Sequence, residues 1–142
     1  VINSIYIDTE TLSVHNDELQ ACYREITANE QQWEEYNLEG AEYVITAFGT
    51  VARIAKSAIV ELKEQGINVG LVRPITDAVK KAAEQPGVKA VLDVELNEGQ
   101  MLEDVKLAIN GAKPVDFFGH LGSQMPTTEE IKAKIISMKE GK

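Results

Sequence analysis

The chain has 142 residues, of which 44% are hydrophobic, enough for one globular domain with a short appendage. Its net charge of −9 disfavours nucleic acid and anionic membrane surfaces as partners. No apolar run reaches the ~18 residues of a membrane span, and the single cysteine, Cys22, excludes an internal disulfide and favours a reducing cytoplasm.

The negative charge is concentrated near the N terminus. Residues 1–40 hold nine acidic residues and one basic residue, whereas the other 102 residues hold 14 acidic and 13 basic residues. This break in composition predicts an acidic arm or linker helix over residues 1–39 and a near-neutral domain over residues 40–142. The charge of the arm suits either a solvated helix face or a contact with a basic surface of another domain.

The acidic arm is predicted to start with a short strand or extended segment over residues 2–7. An amphipathic helix is predicted between His15 and Tyr36, since isolated apolar residues recur there at helical spacing. Such a helix needs a neighbour, because isolated helices are marginally stable in water. The residues of the apolar stripe are Leu19, Tyr23, Ile26 and Trp33.

Strands and helices alternate after residue 40. The predicted strands cover residues 43–48, 67–72, 88–94 and 115–118, and the predicted helices cover 50–65, 77–84, 99–109 and 127–138. Because the strands are apolar on both faces, they indicate a buried and mainly parallel sheet. The predicted fold class is therefore α/β, with a mainly parallel sheet of four or five strands, helices on both faces and an N-terminal helical arm.

Polar residues follow the predicted strand over residues 88–94. The C-terminal edge of a parallel strand is where open α/β sheets place recognition residues. Glu95, Asn97 and Gln100 therefore fit a subunit interface or a ligand crevice, whereas the alternative is that they cap the next helix. One polar residue is enough to cap a helix, and this segment has several, which favours a function or an interface. Met101 is expected in the core.

Two further segments lie where predicted strands end. Gly49 and Thr50 begin a helix, which suits either a small-anion site or an ordinary N-cap with close packing at the glycine. Arg73 can hold a carboxylate or phosphate, or form an ion pair with Glu95 or Asp93.

No cofactor or metal motif is present in the sequence. His15 and His120 are far apart and are expected to be solvated, and no Cys, His or acidic spacing suggests a metal site. Phosphate-binding glycine motifs are also absent. The sequence therefore predicts no catalytic, cofactor-binding or metal-binding residue in this chain.

Four blocks of the sequence resemble the 2-oxoacid:ferredoxin oxidoreductases, in the order found there. In that family they lie in a transketolase C-terminal-like domain of the alpha-type subunit, which also carries a pyrimidine-binding domain. The blocks are Ala47–Ala58, Gly70–Thr76, the Glu-x-Asn-x-Gly-Gln-Met motif at Glu95–Met101, and Val115–Gly119 before a helix led by Pro126. The family has a longer segment after the second block, so this chain either lacks that loop or has residues omitted there, and we predict a chain break between Thr76 and Asp77.

The resemblance implies an oxidoreductase that decarboxylates a 2-oxoacid with coenzyme A and reduces ferredoxin. Its cofactors are thiamine diphosphate, Mg²⁺ and iron–sulfur clusters, all expected in other domains or subunits. The expected partners are a missing N-terminal pyrimidine domain, a thiamine-diphosphate-binding subunit and the remaining subunits of a cytoplasmic complex. Since the chain begins at Val1, a fragment and a natural short subunit both remain open.

The expected role of this chain is architectural, with no turnover by the chain alone. The resemblance is strongest to the branched-chain (2-oxoisovalerate) subgroup, ahead of 2-oxoglutarate and pyruvate. The segment Glu95–Gln100 and Arg73 are the first candidates for a contact at the coenzyme A or substrate entrance. The alternatives are a free-standing flavodoxin-like module that binds a small anion and, less favoured, a complete enzyme.

Overall fold

The computed structural model describes residues 5–73, 76–122 and 124–141, except for the side chains of Thr76 and Asp77. The chain divides into two compact units, Val1–Gln32 and Trp33–Lys142. This boundary lies earlier than the composition break near residue 40, because residues 34–36 pair with the sheet of the second unit.

Over its described residues, 5–32, the first unit contains one helix, α1 (Thr9–Asn29). Its N terminus is capped by Asp8, whose carboxylate accepts a hydrogen bond from the Thr11 backbone N–H at 2.8 Å. The predicted arm helix is confirmed, but its bounds of residues 15–36 are wrong, since the Asp8 cap starts it earlier. Residues 5–7 have no regular structure, and the rest of the predicted N-terminal strand lies outside the described residues.

The second unit is built around a five-stranded sheet. Its strand order is β1-β3-β2-β4-β5, and all pairs are parallel except β1 with β3. The predicted α/β fold with a mainly parallel sheet is confirmed. The elements are β1 (Glu34–Tyr36), β2 (Tyr43–Thr46), α2 (Gly49–Glu64), β3 (Val69–Arg73), α3 (Thr76–Ala83), β4 (Ala90–Glu95), α4 (Gln100–Ile109), β5 (Val115–Gly119) and α5 (Thr128–Glu140).

Helices cover both faces of this sheet. Neighbouring residues of β2 point to opposite faces, so Ile45 joins the core beneath α2 and α5, whereas Val44 joins the core beneath α3 and α4. Ile131 of α5 and Val105 of α4 close the two layers. Each fully buried aliphatic side chain of this kind contributes roughly 1.5–3 kcal/mol. Within the described ranges, no helix is both long and apolar enough to cross a membrane.

The junction between Thr76 and Asp77 lies inside a helix. Both residues belong to α3, which continues across the point where a chain break was expected. The prediction of a break between these two residues is therefore contradicted.

Gly70 of β3 packs closely against the segment that follows β1. A Cβ atom added there would lie 2.5 Å from Leu38 Cδ2, 3.1 Å from Leu38 Cα and 3.2 Å from the Asn37 carbonyl oxygen. We expect Gly70→Ala to lower the free energy of unfolding by about 1–3 kcal/mol, since the Leu38 backbone must move. Urea unfolding measures this loss, and Ser57→Ala on the exposed face of α2 is the control, with a change below about 0.5 kcal/mol.

Candidate functional site

Strands β2 and β4 are parallel neighbours in the sheet, but the helices that follow them pack on opposite faces. The chain leaves β2 through α2 on one face and leaves β4 through α4 on the other. The carboxyl ends of these neighbouring strands are the topological switch point, where open α/β sheets bind ligands or partners. A cavity of about 340 Å³ opens there, which we name the switch-point crevice; it is lined by Phe48, Gly49, Thr50, Val51, Val94, Glu95, Leu96 and Asn97.

Four of the six residues singled out in the sequence lie in this crevice. Gly49 and Thr50 come from the α2 side, and Glu95 and Asn97 from the β4 side. Gln100 is the first residue of α4, and its side chain is exposed. Arg73 stands apart, because β3 and β4 lie on opposite sides of β2.

Glu95 and Asn97 together cap the N terminus of α4. The buried Glu95 carboxylate accepts hydrogen bonds from the backbone N–H groups of Met101, at 2.9 Å, and Leu102, at 3.1 Å. Asn97 Oδ1 accepts from the N–H groups of Gly99, at 2.7 Å, and Gln100, at 2.9 Å. The two side chains are joined because Asn97 Nδ2 donates to Glu95 Oε2 at 2.9 Å. Capping, the alternative left open by the sequence, is therefore observed for both residues.

These hydrogen bonds control the charge of Glu95. Burial by itself raises the pKa of this carboxyl, but the hydrogen bonds from Met101, Asn97 and Leu102, together with the neighbouring Asp93, outweigh burial and hold the pKa below its ordinary value. Glu95 is therefore an anion at neutral pH. Its charge lies at the N terminus of α4, where the helix dipole stabilises it.

Asp93 lies behind Glu95 on the same face of β4. It is completely buried; Oδ1 accepts a hydrogen bond from the Thr46 hydroxyl at 2.8 Å, and Oδ2 has no donor among the described residues. The pKa of Asp93 is raised from 3.8 to about 7, chiefly by burial and also by the adjacent Glu95, while the Thr46 hydroxyl partly opposes the shift. Sequence reasoning did not single out Asp93 as a site; the available signal was a carboxyl inside an otherwise apolar strand.

The α2 side of the crevice differs from expectation. The N-cap of α2 is Phe48, with no side-chain cap, so the prediction that Thr50 is the cap is wrong. Gly49 has a φ of +57° and open space around an added Cβ, so the glycine provides a left-handed turn rather than close packing. Phe48 is 50% exposed beside the cavity.

Arg73 forms a different ion pair from those expected. Its Nη1 lies 2.8 Å from Glu34 Oε2, and Lys56 binds the same carboxylate. The predicted partners, Glu95 and Asp93, are wrong because β2 separates β3 from β4. Lys56 and then Arg73 lower the pKa of Glu34, so this charged group holds β1 against β3.

The histidines are less solvated than expected. His120 Nε2 lies 3.2 Å from Glu130 Oε1, and the ring packs edge-on against Phe118 at 5.1 Å between centroids. Glu130 also forms a capping box with Thr127 at the start of α5. In the first unit, His15 is half-buried and stacks on Tyr6.

A second cavity, of about 490 Å³, opens at the amino-terminal ends of the strands. Its lining includes Tyr43, Lys89 and Lys139, and Lys89 already binds Glu42. None of the residues predicted as a site lies there. Among the described residues, no group of three or more His, Cys, Asp or Glu is placed to hold a metal ion.

The sheet order and the crevice define the chain as a doubly wound α/β domain with a cavity at its topological switch point. The chain belongs to the pyruvate:ferredoxin oxidoreductase core domain II family, which it matches over residues 41–131.

Subunits of known 2-oxoacid oxidoreductases are similar to this chain in sequence. The ketoisovalerate oxidoreductase subunit VorB of Methanothermobacter marburgensis is 36% identical, with 95% of this chain and 39% of that subunit covered. The 2-oxoglutarate synthase subunit KorA of Methanocaldococcus jannaschii is 31% identical, with 74% of this chain and 29% of that subunit covered. The chain thus spans about two fifths, or less, of the curated relatives it matches.

A solved structure has a similar fold. It is a 2-oxoglutarate:ferredoxin oxidoreductase from Magnetococcus marinus with 2-oxoglutarate, coenzyme A and succinyl-CoA bound. The TM-score is 0.72 at 15% sequence identity, and the match covers 93% of this chain and 24% of that one. At this identity the likeness concerns the fold alone.

Proposed function

We propose that this chain is a non-catalytic domain of a subunit of a 2-oxoacid:ferredoxin oxidoreductase, and that it positions neighbouring domains and subunits. The observation that carries the proposal is the construction of the switch-point crevice. Its polar side chains hold the β4–α4 loop in place, whereas Phe48 and Leu96 remain exposed at its wall, at 50% and 36%. A rigid loop with exposed apolar side chains suits a protein partner.

The complex would supply the chemistry that this chain lacks. Oxidative decarboxylation of a 2-oxoacid, with transfer of the acyl group to coenzyme A and of electrons to ferredoxin, would use thiamine diphosphate, Mg²⁺ and iron–sulfur clusters held by other domains or subunits. The higher identity to the ketoisovalerate subunit supports a branched-chain 2-oxoacid as substrate, ahead of 2-oxoglutarate and pyruvate. Cytoplasmic localisation belongs to the same proposal.

A free-standing module for a small anion is not favoured. The charged side chain in the crevice, Glu95, is itself an anion and would repel one. Arg73 is bound to Glu34 at the far side of β2. For the same reason, a coenzyme A or substrate entrance near Glu95 or Arg73 would involve neutral contacts from Thr50, Asn97 or Gln100 rather than these two charges.

The acidic arm is proposed to bind the rest of the subunit. Helix α1 has no buried residue, and Val14 and Tyr23 are 60% and 58% exposed. The apolar stripe needs a covering surface, and the surrounding carboxylates favour a basic rim around that surface.

Assembly tests the architectural role. We expect the double variant Phe48→Ser, Leu96→Ser to weaken binding to the thiamine-diphosphate-binding subunit by at least tenfold, because it removes about 1.4 kcal/mol or more of apolar contact. Both side chains are exposed in this chain, so its melting temperature should change by only a few degrees. Binding is measured by titration of the purified partner subunit, in the full-length subunit background.

The matched control is Leu107→Ser on α4, which removes a 77% exposed leucine outside the crevice. It should leave both assembly and melting unchanged. Equal weakening by the control, or normal assembly of the double variant, would contradict the proposed interface. Consumption of a 2-oxoacid by the isolated chain would contradict the non-catalytic role.

A further inference from the structure

Asp93 and Glu95 form a buried acidic pair whose spatial relation follows from the strand. They lie two residues apart on β4 and therefore share the face covered by α3 and α4. Both are buried, with exposed fractions of 0% and 1%. The core on that face is made of apolar side chains such as Val79 of α3 and Val105 of α4.

No cation balances this pair among the described residues. None of the ion pairs there involves Asp93 or Glu95. Thr46 faces Asp93 from β2, and Phe117 is its register partner on β5. The Asp77 side chain of α3 lies outside the described residues. The other charged groups of the covering helices are exposed: Lys80 and Lys81 of α3, and Glu103, Asp104 and Lys106 of α4.

Hydrogen bonding distinguishes the two carboxyls. Glu95 accepts backbone N–H groups from α4 and therefore needs to be a carboxylate. Asp93 accepts the Thr46 hydroxyl at Oδ1, whereas its buried Oδ2 has no donor. Two carboxylates cannot hydrogen-bond to each other, but a protonated Asp93 has an O–H that donates to Glu95.

We propose that Asp93 is protonated in mildly acidic solution and donates that proton in a hydrogen bond to Glu95, so that the pair forms a pH-sensitive lock on the switch-point crevice. When Asp93 is protonated, the pair carries a single negative charge, which lies on Glu95 and caps α4. Loss of the Asp93 proton places a second negative charge beside Glu95 in an apolar layer. Asp93 and Glu95 then repel each other, and the segment Glu95–Leu102, which forms one wall of the crevice, is released. The raised pKa of Asp93 and the lowered pKa of Glu95 support this division of roles.

Infrared spectroscopy of this chain tests the lock directly. We expect a protonated-carboxyl C=O band at pH 6 that is lost as the pH rises through about 7. Asp93→Asn should abolish this band, because the amide reproduces both hydrogen bonds without a titrating proton. The control Asp104→Asn removes an exposed carboxylate of α4 and should leave the band unchanged.

Thr46→Val supplies a second test that does not alter either carboxyl. The Thr46 hydroxyl stabilises the charged form of Asp93, so its removal should move the loss of the band to higher pH. In the wild type, amide exchange of Met101 and Leu102, corrected for intrinsic rates, should accelerate by up to about tenfold for each pH unit as the pH rises towards the transition and should level off above it, whereas Asp93→Asn should show no such acceleration.

The absence of a carboxylic-acid band in the wild type at pH 6 would overturn the proposal. A band that persists in Asp93→Asn, or a transition that does not move in Thr46→Val, would also overturn it. None of these measurements depends on assembly with another subunit, so failure of the lock and failure of the proposed interface are distinguishable.

Discussion

Replacement of Glu95 by alanine is expected to lower the free energy of unfolding by about 3–5 kcal/mol, the largest loss we expect from a single site. The substitution leaves the N–H groups of Met101 and Leu102 without their acceptor and also removes the partner of Asn97 Nδ2. For a domain of this size, the melting temperature should fall by roughly 10–20 °C. Thermal and urea unfolding of the 142-residue chain measure both quantities.

Two further variants separate capping from general effects of the loop. Glu98→Ala removes an exposed carboxylate three residues away and should change stability by less than about 0.5 kcal/mol. Glu95→Gln keeps one acceptor oxygen and should cause an intermediate loss. If Glu95→Ala were no more destabilising than Glu98→Ala, the capping role of Glu95 would be wrong.

The general architecture could be predicted from the sequence because the spacing of apolar residues along the chain differs between strands and helices. Strands β2 and β4 are mostly apolar and are buried on both faces, which few environments other than a covered parallel sheet satisfy. The acidic β1 strand was missed for the opposite reason. Its Glu-Glu-Tyr sequence has no apolar alternation, and Lys56 and Arg73, distant in sequence, bind Glu34 there.

The placement of Glu95 and Asn97 at the carboxyl end of β4 could be predicted from the sequence, but their hydrogen bonds could not. Glu95 and Asn97 were identified because they follow a buried strand, and that reasoning needs only the strand–helix order. The partner of Arg73 depends on strand order, since β2 lies between β3 and β4, and local sequence does not determine which strands are neighbours. The protonation of Asp93 depends on burial beneath α3 and α4, which is a property of the folded chain.

Capping is compatible with the proposed recognition at the same loop. The sequence posed them as alternatives for Glu95, Asn97 and Gln100, yet Glu95 and Asn97 cap α4 while lining the crevice. Because their hydrogen bonds fix the loop, the neighbouring Leu96 is presented in one orientation. A preorganised wall of this kind reduces the entropy lost on binding a partner.

The second large effect that we expect is a dependence of stability on pH that Asp93 creates and Asp93→Asn removes. The pKa of Asp93 is about 7 in the folded chain and near 3.8 when exposed, so between these values the folded state binds one proton more than the unfolded state. Stability from this group is therefore complete below pH 3.8 and declines as the pH rises towards 7. The pKa of Glu95 is lowered, so its contribution is lost only at more acidic pH.

Between pH 5 and pH 8, the free energy of unfolding of the wild type should fall by about 3 kcal/mol because of Asp93. About two pH units of this range lie below the folded-state pKa of about 7, and each corresponds to about 1.4 kcal/mol. Asp93→Asn should show almost no decline over this range and should exceed the wild type in stability at pH 8. Asp104→Asn, an exposed carboxyl on α4, should keep the wild-type slope. Urea unfolding at a series of pH values decides the matter, because an equal slope in Asp93→Asn and wild type would mean that Asp93 is ionised in the folded chain throughout this range.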